Sequence, residues 1–416
     1  MAISPVTDGH YACRSCGGTL HPFVDLGVSP LCESFLASDE LGVAETFYPL
    51  DVKVCSECWL AQLPEYVSPQ RIFTEYAYFS SFSEAWLEHA RKFVNLAVSR
   101  FGLGTASFII EIASNDGYLL RNAVALGIPC LGIEPAANVA KAAEAVGVPT
   151  RVAFFGRDLA AKLRAEGKQA DLIVANNVLA QVPDLNDFVA GLRTVLQPDG
   201  VITLEFPHLL RLIEGNQFDT IYHEHFSYFS LFSVECLLAR HGLRVFDVEE
   251  LWTHGGSLRL FCCQSLSDRS ETSQLHMVRS HEAAAGLLDL RTYSAFANRV
   301  TGTKRKLLEL LIEIKNAGGT VVAYGAPGKG NTLLNYCGIR TDFIDLTVDR
   351  NPYKHGRYLP GTRIPIHPPE AIEEVKPDYV LILPWNLKDE IIKQIGYVRG
   401  WGGRFIIPIP DPIIVE

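Results

Sequence analysis

Residues 222 to 230 read Tyr222-His223-Glu224-His225-Phe226-Ser227-Tyr228-Phe229-Ser230. Packing alone gives no reason to place His-Glu-His between aromatics, because burying such groups is costly unless each is paired. A histidine moves a proton near neutral pH, and a neighbouring carboxylate fixes its tautomer and raises its basicity. The density of protonatable groups therefore favours a general-base centre over a polar loop with satisfied hydrogen bonds. His225 or Glu224 is the base. Tyr222 or His223 donates a hydrogen bond to the oxygen on which charge develops. The base candidates are adjacent, and sequence does not order them.

A second constellation is Cys13-Arg14-Ser15-Cys16 with Cys55-Ser56-Glu57-Cys58. Each CxxC lets two thiolates converge on one ion, and two such knuckles complete a tetrahedral shell for zinc. Four thiolates leave no open position, so Cys13, Cys16, Cys55 and Cys58 define a structural site in a module with too little core to stand alone. A small sheet fills the gap between the knuckles. Cys32 is not counted as a ligand, and Cys130, Cys236, Cys262, Cys263 and Cys337 read as small core residues.

The elements that position these groups are α/β in pattern. Ser83 caps a helix with apolar spacing over 84–101. Tyr76, Tyr78 and Ser80 precede it, in a segment that suits a pocket wall or plain packing. Strands are expected at 108–112, 130–134, 171–175 and 201–205, with a short one near 151–154 and helices at 118–126 and 138–146. This order gives a parallel, doubly wound sheet that binds ligands at the C-terminal strand ends. Glu134 ends the second strand, where a carboxylate takes ribose hydroxyls. The first loop, Glu111-Ile112-Ala113-Ser114-Asn115-Asp116-Gly117, is not GxGxxG. Its polar side chains suit a zwitterionic, phosphate-free ligand such as S-adenosylmethionine. Pro135, Asn176 and Asn177 complete that candidate site.

Beyond residue 255 the pattern repeats. A strand covers 256–263, a polar connector 265–276, and a long helix 280–316 with a break near 299–302. A strand at 320–324 runs into Gly325-Ala326-Pro327-Gly328-Lys329-Gly330, and further strands fall at 345–349, 379–383 and 405–408. Gly-rich turns at a helix start cradle phosphate through backbone N–H groups. Lys329, Arg350, Tyr353 and Lys354 are candidate contacts to a diphosphate, and His254 a candidate substrate contact. The rival reading is a structural cap.

The 416 residues hold 48% hydrophobic and 20% charged side chains, enough for about three domains with sizeable cores. The net charge of −10 argues against nucleic acid and anionic membrane as main partners. No apolar run nears the ~18–20 residues of a spanning helix, and the N-terminus lacks a signal-peptide pattern. A cytoplasmic enzyme is expected, with a monomer as the working expectation.

Taken together, the two CxxC knuckles, Tyr76-x-Tyr78-x-Ser80-Ser81, Glu111-Ile112-x-Ser114-Asn115-Asp116-Gly117 and the 222–230 segment resemble the S-adenosylmethionine-dependent sugar C-methyltransferases, along the whole chain. The resemblance implies methylation of a carbon, commonly C3, of a nucleotide-linked 4-keto-deoxyhexose. It also implies a Rossmann-like methyltransferase core, a zinc module and a second Rossmann-like domain that helps hold the nucleotide sugar. By position, Tyr76, Tyr222, Glu224 and His225 match the family's active-site residues, with His225 as base. Gln181 stands where a relative carries histidine, and glutamine hydrogen-bonds but does not titrate. Domains are expected at 1–75, 76–265 and 266–416. The alternatives are a non-catalytic nucleotide-sugar-binding protein and an NAD-dependent oxidoreductase using the Gly-rich turn.

Overall fold

The structure, a computed structural model, describes residues 12–73 and 79–416. Tyr76 and Tyr78 lie outside the described residues. Strands β1 (Leu20–Ser29) and β2 (Tyr48–Cys55) lie side by side, and β3 (Ala61–Gln62) follows the second knuckle. Along β2 the residues Leu50, Val52 and Val54 are buried, the period of two expected of a strand with one face in the core.

The middle of the chain carries β4 (Ile109–Ile112), β5 (Cys130–Glu134), β6 (Thr150–Val152), β7 (Ala170–Asn176) and β8 (Leu196–Pro207). A short β9 (Ser227–Tyr228) pairs antiparallel with β3, and β10 (Leu243–Leu251) and β11 (Ser257–Gln264) follow. The large sheet has the order β10-β11-β8-β7-β4-β5-β6. From β8 to β6 all pairs are parallel, whereas β11 runs antiparallel to both β8 and β10. The chain steps outward from β4 to β6, then restarts at β7 on the other side, so the switch point falls between β4 and β7. Both faces are covered, which is why all four residues of β4 are buried, Glu111 included, and β7 is apolar from Leu172 to Ala175.

The helix Glu84–Phe101 begins as the sequence predicts: the Ser83 hydroxyl accepts a hydrogen bond from the Trp86 amide. The expected strands and helices of this region all form; β5, like the helix Glu84–Phe101, keeps its expected bounds, and the ends of the others shift by a residue or more. The largest shift is in β8, which starts earlier and runs longer than expected.

The last third holds β12 (Val321–Tyr324), β13 (Thr347–Val348), β14 (Ile366–His367), β15 (Tyr379–Ile382), β16 (Arg404–Ile407) and β17 (Ile413–Val415). Their order is β14-β13-β12-β15-β16-β17, parallel except for β17. It is a second Rossmann-like sheet, with its switch point between β12 and β15. The helical stretch before it differs from expectation. Two helices form, Ser273–Ala284 and Leu290–Asn316, and the break falls at 285–289. Gly286 takes φ 76° there, and Asp289 caps the second helix by accepting from Arg291 N–H. Gly302 is accommodated inside the helix, so a lone glycine does not end it. The polar segment 265–276 is a connector only up to Thr272, whose side chain caps the first of these helices.

The chain divides into two compact units. One comprises residues 1–21, 54–208 and 226–288. The other comprises 22–53, 209–225 and 289–416. Both are discontinuous, so their limits do not coincide with the sequence boundaries at 75 and 265.

Candidate active site

In the first unit the four cysteines converge. Their sulfurs all lie within 4.8 Å of one another, with Cys13 to Cys58 and Cys16 to Cys55 at 3.5 Å. Edges of about 3.8 Å follow from a tetrahedron with metal–sulfur bonds of about 2.3 Å, so the set fits zinc. Amide N–H groups support the sulfurs: Gln62 Nε2 donates to Cys13, Gly18 N to Cys16, and Glu57 N and Cys58 N to Cys55. Cys32 belongs to the other unit and is no ligand.

The ends of β4, β5 and β7 form the cofactor end of the same unit. Glu134 is 4% exposed. One carboxylate oxygen accepts the Asn115 amide at 3.0 Å, the other the Ala136 amide at 2.9 Å. Each oxygen keeps a second acceptor position for a ribose hydroxyl. Burial pushes the Glu134 carboxyl up, and the two amides oppose that shift. Glu111 is 1% exposed, and burial raises it well above the usual range against a hydrogen bond from Tyr118. A ligand cation facing it would pull the other way. Gly117 turns the loop at φ 78°, and a Cβ there would lie 3.0 Å from Val148. Ala113, Asn115 and Asn177 also take positive φ, of 56°, 49° and 55°.

Asn115 and Asp116 do more than face a ligand. Asn115 Oδ1 accepts from the Ser80 amide at 2.9 Å and Asp116 Oδ2 from the Ser81 amide at 3.0 Å. Ser80 thus meets the first loop through its backbone. Among the described residues, Ser114 Oγ, Asp116 Oδ1, Asn176 Oδ1 and Asn177 Oδ1 are buried at this sheet edge without a protein partner. Pro135 stands in the turn between Glu134 and Ala136. This concentration of buried acceptors beside the Glu134 carboxylate fits a polar ligand such as S-adenosylmethionine.

A buried charge network lies at the end of β8, and sequence reasoning missed it. Glu205 accepts from Arg259 Nη2 at 2.7 Å, from Thr253 Oγ1 at 3.3 Å, and lies 3.1 Å from His89 Nε2. Arg259 Nη1 also donates to Glu249 at 2.9 Å. Burial pushes Glu205 up, but His89 and Arg259 outweigh it and hold the carboxyl below its usual range. The Glu205 carbonyl accepts the Asn177 amide at 2.7 Å, tying the network to the loop after β7. Exposed His254 takes φ 55° and meets Trp86 edge-on, their rings 5.5 Å apart.

The Tyr-His-Glu-His residues belong to the second unit. His225 Nδ1 lies 3.2 Å from the Thr220 carbonyl oxygen. A carbonyl only accepts, so Nδ1 carries the hydrogen and Nε2 the basic lone pair. A backbone carbonyl therefore helps to orient the imidazole. The Tyr222 ring packs on the imidazole with centroids 4.2 Å apart. Buried Glu224 has its Oε1 3.5 Å from the thiol of Cys32. His223 differs from expectation. It is 3% exposed, its Nε2 lies 3.1 Å from the Pro49 carbonyl, and burial lowers its pKa. Its N–H is committed to the Pro49 carbonyl of β2.

The Gly-rich turn and the basic loop also belong to the second unit. Lys329 Nζ donates to Asn386 Oδ1 at 2.8 Å and lies over the Trp385 ring, and burial lowers its pKa against the pull of Asp219. Lys354 Nζ donates to the Ala326 carbonyl at 2.9 Å and lies over Phe35. Both lysines spend their charge inside the unit. Arg350 and Tyr353 are exposed.

Family models match three consecutive stretches: a putative zinc-binding domain over residues 13–73, a methyltransferase domain over 86–248, and a C-methyltransferase C-terminal domain over 252–410. The chain is 37% identical over 405 residues to the C-methyltransferase NovU of Streptomyces niveus, covering 97% of this chain and 96% of that protein. The chain belongs to the sugar C-methyltransferase family. It is an S-adenosylmethionine-dependent C-methyltransferase with a structural zinc site, which displaces the oxidoreductase and non-catalytic alternatives. Two solved methyltransferases resemble part of the chain. Magnesium protoporphyrin IX methyltransferase from Synechocystis, with bound S-adenosylmethionine, is 13% identical with a TM-score of 0.33, covering 44% of this chain and 82% of its own. A TehB-like enzyme from Corynebacterium glutamicum is 17% identical with a TM-score of 0.31, covering 44% and 100%. These scores are too low to bear on function. No helix among the described residues is long and apolar enough to cross a membrane.

Proposed function

We propose that this family member methylates a ring carbon, most simply C3, of a nucleotide-linked 4-keto-deoxyhexose. The observation that carries this reading is the hydrogen bond from His225 Nδ1 to the Thr220 carbonyl, which orients the ring and makes Nε2 the nitrogen that takes the proton. A ketone acidifies the proton on the adjacent carbon. His225 Nε2 takes that proton, and the electron pair moves into an enolate. The Tyr222 hydroxyl donates to the enolate oxygen, and the contact of its tilted ring with the His225 imidazole keeps the two side chains in register. S-adenosylmethionine supplies an electrophilic methyl group on its sulfonium. The enolate carbon would take that methyl group as its bond to sulfur breaks, S-adenosylhomocysteine would leave, and the ketone would re-form. Glu134, with the buried acceptors of Ser114, Asp116, Asn176 and Asn177, holds the cofactor, and Glu111 faces its positive charge. Residues 1–75, 76–265 and 266–416 serve metal, cofactor and nucleotide sugar in turn.

Two measurements test the reading. Incubation in deuterium oxide with a nucleotide 4-ketohexose, without methyl donor, should exchange the C3 hydrogen. His225→Asn should abolish both exchange and turnover while leaving S-adenosylhomocysteine affinity within about twofold. Exchange that persists in the variant removes His225 as the base, and equal loss of cofactor affinity makes it structural.

A further inference from the structure

The residue that follows His225 in the chain opens a short anchored stretch of the first unit, and the anchor leads back to the four cysteines. Phe226 donates its amide to the Ala180 carbonyl at 2.7 Å, in the turn after β7, and its own carbonyl accepts the Leu63 amide at 3.0 Å. Ser227 and Tyr228, the two residues of β9, then pair with Gln62 and Ala61 of β3. Phe229 bridges to His208, just past the end of β8. His208 Nε2 lies 2.7 Å from Glu282, whose carboxylate also accepts the amides of Leu231 at 2.6 Å and Phe232 at 3.1 Å. Residues 226–232 are thus held from three sides: by β3, by the turn after β7 and by the His208–Glu282 pair.

Of these supports β3 is the one that depends on a metal. It is two residues long and begins three positions beyond Cys58, shorter than the usual run of a strand. Its place is set by a side chain. Gln62 is 4% exposed; its Nε2 donates to Cys13 Sγ at 3.2 Å and its Oε1 accepts the Arg14 amide at 3.0 Å. Both bonds run to the first CxxC, so the side chain of Gln62 grips a knuckle while its backbone carries β9. Arg14, inside that knuckle, adds a second link. Its guanidinium donates to the Leu63 carbonyl, and the guanidinium carbon lies 5.7 Å from the Phe226 ring centroid. A metal-bound thiolate is a stronger acceptor than a thiol, so the ion both closes the knuckles and tightens the Gln62 bond. We infer that Gln62 is a positioning residue: it transmits occupancy of the four-cysteine site to residues 226–232, and so to the point from which His225 extends. The last step rests on His225 as the base.

Gln62→Met tests it on the full chain, since methionine keeps the side chain's length and removes both hydrogen bonds. Zinc affinity, read by competition with a colorimetric chelator, should fall roughly ten- to hundredfold, the range for a partner of a metal ligand. Amide hydrogen exchange on the zinc-saturated variant is the deciding measurement. Peptides covering 61–63 and 226–232 should exchange roughly two- to tenfold faster, the worth of one backbone support. Peptides covering 109–117 and 130–136 should keep the parent's rates and so report an intact fold. Turnover of a nucleotide 4-ketohexose should drop roughly ten- to hundredfold in kcat, as expected of a displaced base, with S-adenosylhomocysteine affinity within about twofold. Stepwise withdrawal of zinc from the parent needs no variant: exchange over 226–232 should rise in step with the zinc removed. The inference is overturned if that exchange ignores zinc withdrawal, if Gln62→Met exchanges there at the parent's rate, or if its zinc affinity is unchanged. Faster exchange with an unchanged kcat overturns the step to His225. Exchange at C3 that persists in His225→Asn removes the base alone, and the link from the cysteines to residues 226–232 then stands.

Discussion

Arg259→Met is the sharpest test of how the cofactor end is held together. Arg259 is 4% exposed and its partner carboxylate, Glu205, is not exposed at all. Methionine keeps the apolar stem and loses the guanidinium, whose carbon lies 4.4 Å from the Phe93 ring centroid. The variant therefore removes charge with little volume. Removing one partner of a buried pair costs about 3–5 kcal/mol, because the other charge stays buried. His89 and Thr253 still reach Glu205, so the lower end, about 3 kcal/mol, is expected. The Glu205 carboxyl should also titrate higher, since Arg259 is one of the two groups that hold it down. Pairing the change with Glu205→Gln removes both charges, and the double variant should recover most of the loss. The effect should reach the ligand through the 2.7 Å bond from Asn177 N to the Glu205 carbonyl. Loosening one such bond is worth roughly 0.5–1.5 kcal/mol, or about two- to tenfold in S-adenosylhomocysteine affinity. Urea unfolding followed at the first unit's transition and calorimetry with S-adenosylhomocysteine read the two quantities. A loss under about 1 kcal/mol in the single variant, or a double variant as unstable as the sum of the singles, would refute the reasoning.

Two other outcomes are expected. Cys13→Ser should lower zinc content well below one ion per chain and reduce stability by several kcal/mol, a fraction of the roughly 10–16 kcal/mol such sites supply; unchanged zinc by elemental analysis would break the four-cysteine assignment. Asp219 is pushed up to about 6 by burial, against Lys329 and the Trp385 indole N–H. Its folded pKa exceeds the unfolded value, so its protonation favours the fold, and this contribution grows as pH falls from about 7 to about 4. It amounts to at most about 3 kcal/mol, from two pKa units at 1.36 kcal/mol each. Asp219→Asn should flatten the stability profile in that window, whereas a slope equal to the parent's would show that Asp219 is not the titrating group.

What sequence reveals here follows from the range of each interaction. The knuckles are legible because ligand spacing within a CxxC is local. The strands β4, β5 and β7 are legible because burial on both faces demands mostly apolar runs. The first-loop residues were placed correctly at the strand end, but Asn115 and Asp116 bond to the backbone of Ser80 and Ser81, and backbone donors leave no mark on composition. The same holds for Thr220, whose carbonyl orients His225, and for Pro49, whose carbonyl takes the N–H of His223. Cys32 meets Glu224 from 192 positions away. Glu205 and Arg259 looked like members of ordinary strands, and only the antiparallel pairing of β11 with β8 sets them opposite each other.

The turns after β4 and β12 differ in composition, and the way each is braced explains why. In the first unit the loop after β4 carries polar side chains because two of them, Asn115 and Asp116, must accept from residues 80 and 81. Such acceptors turned toward an approaching diphosphate would repel it, whereas a cofactor bearing an ammonium and a sulfonium tolerates them. In the second unit the corresponding turn is fixed from outside, by Lys354 on a carbonyl and by Pro384 against Gly325, so its own residues can stay small and bare. Amides are then the groups a ligand meets, and amides suit an anion. A swap of loop chemistry should therefore fail in a directed way: acidic residues introduced at 326 or 328 should weaken nucleoside diphosphate binding far more than they weaken S-adenosylhomocysteine binding.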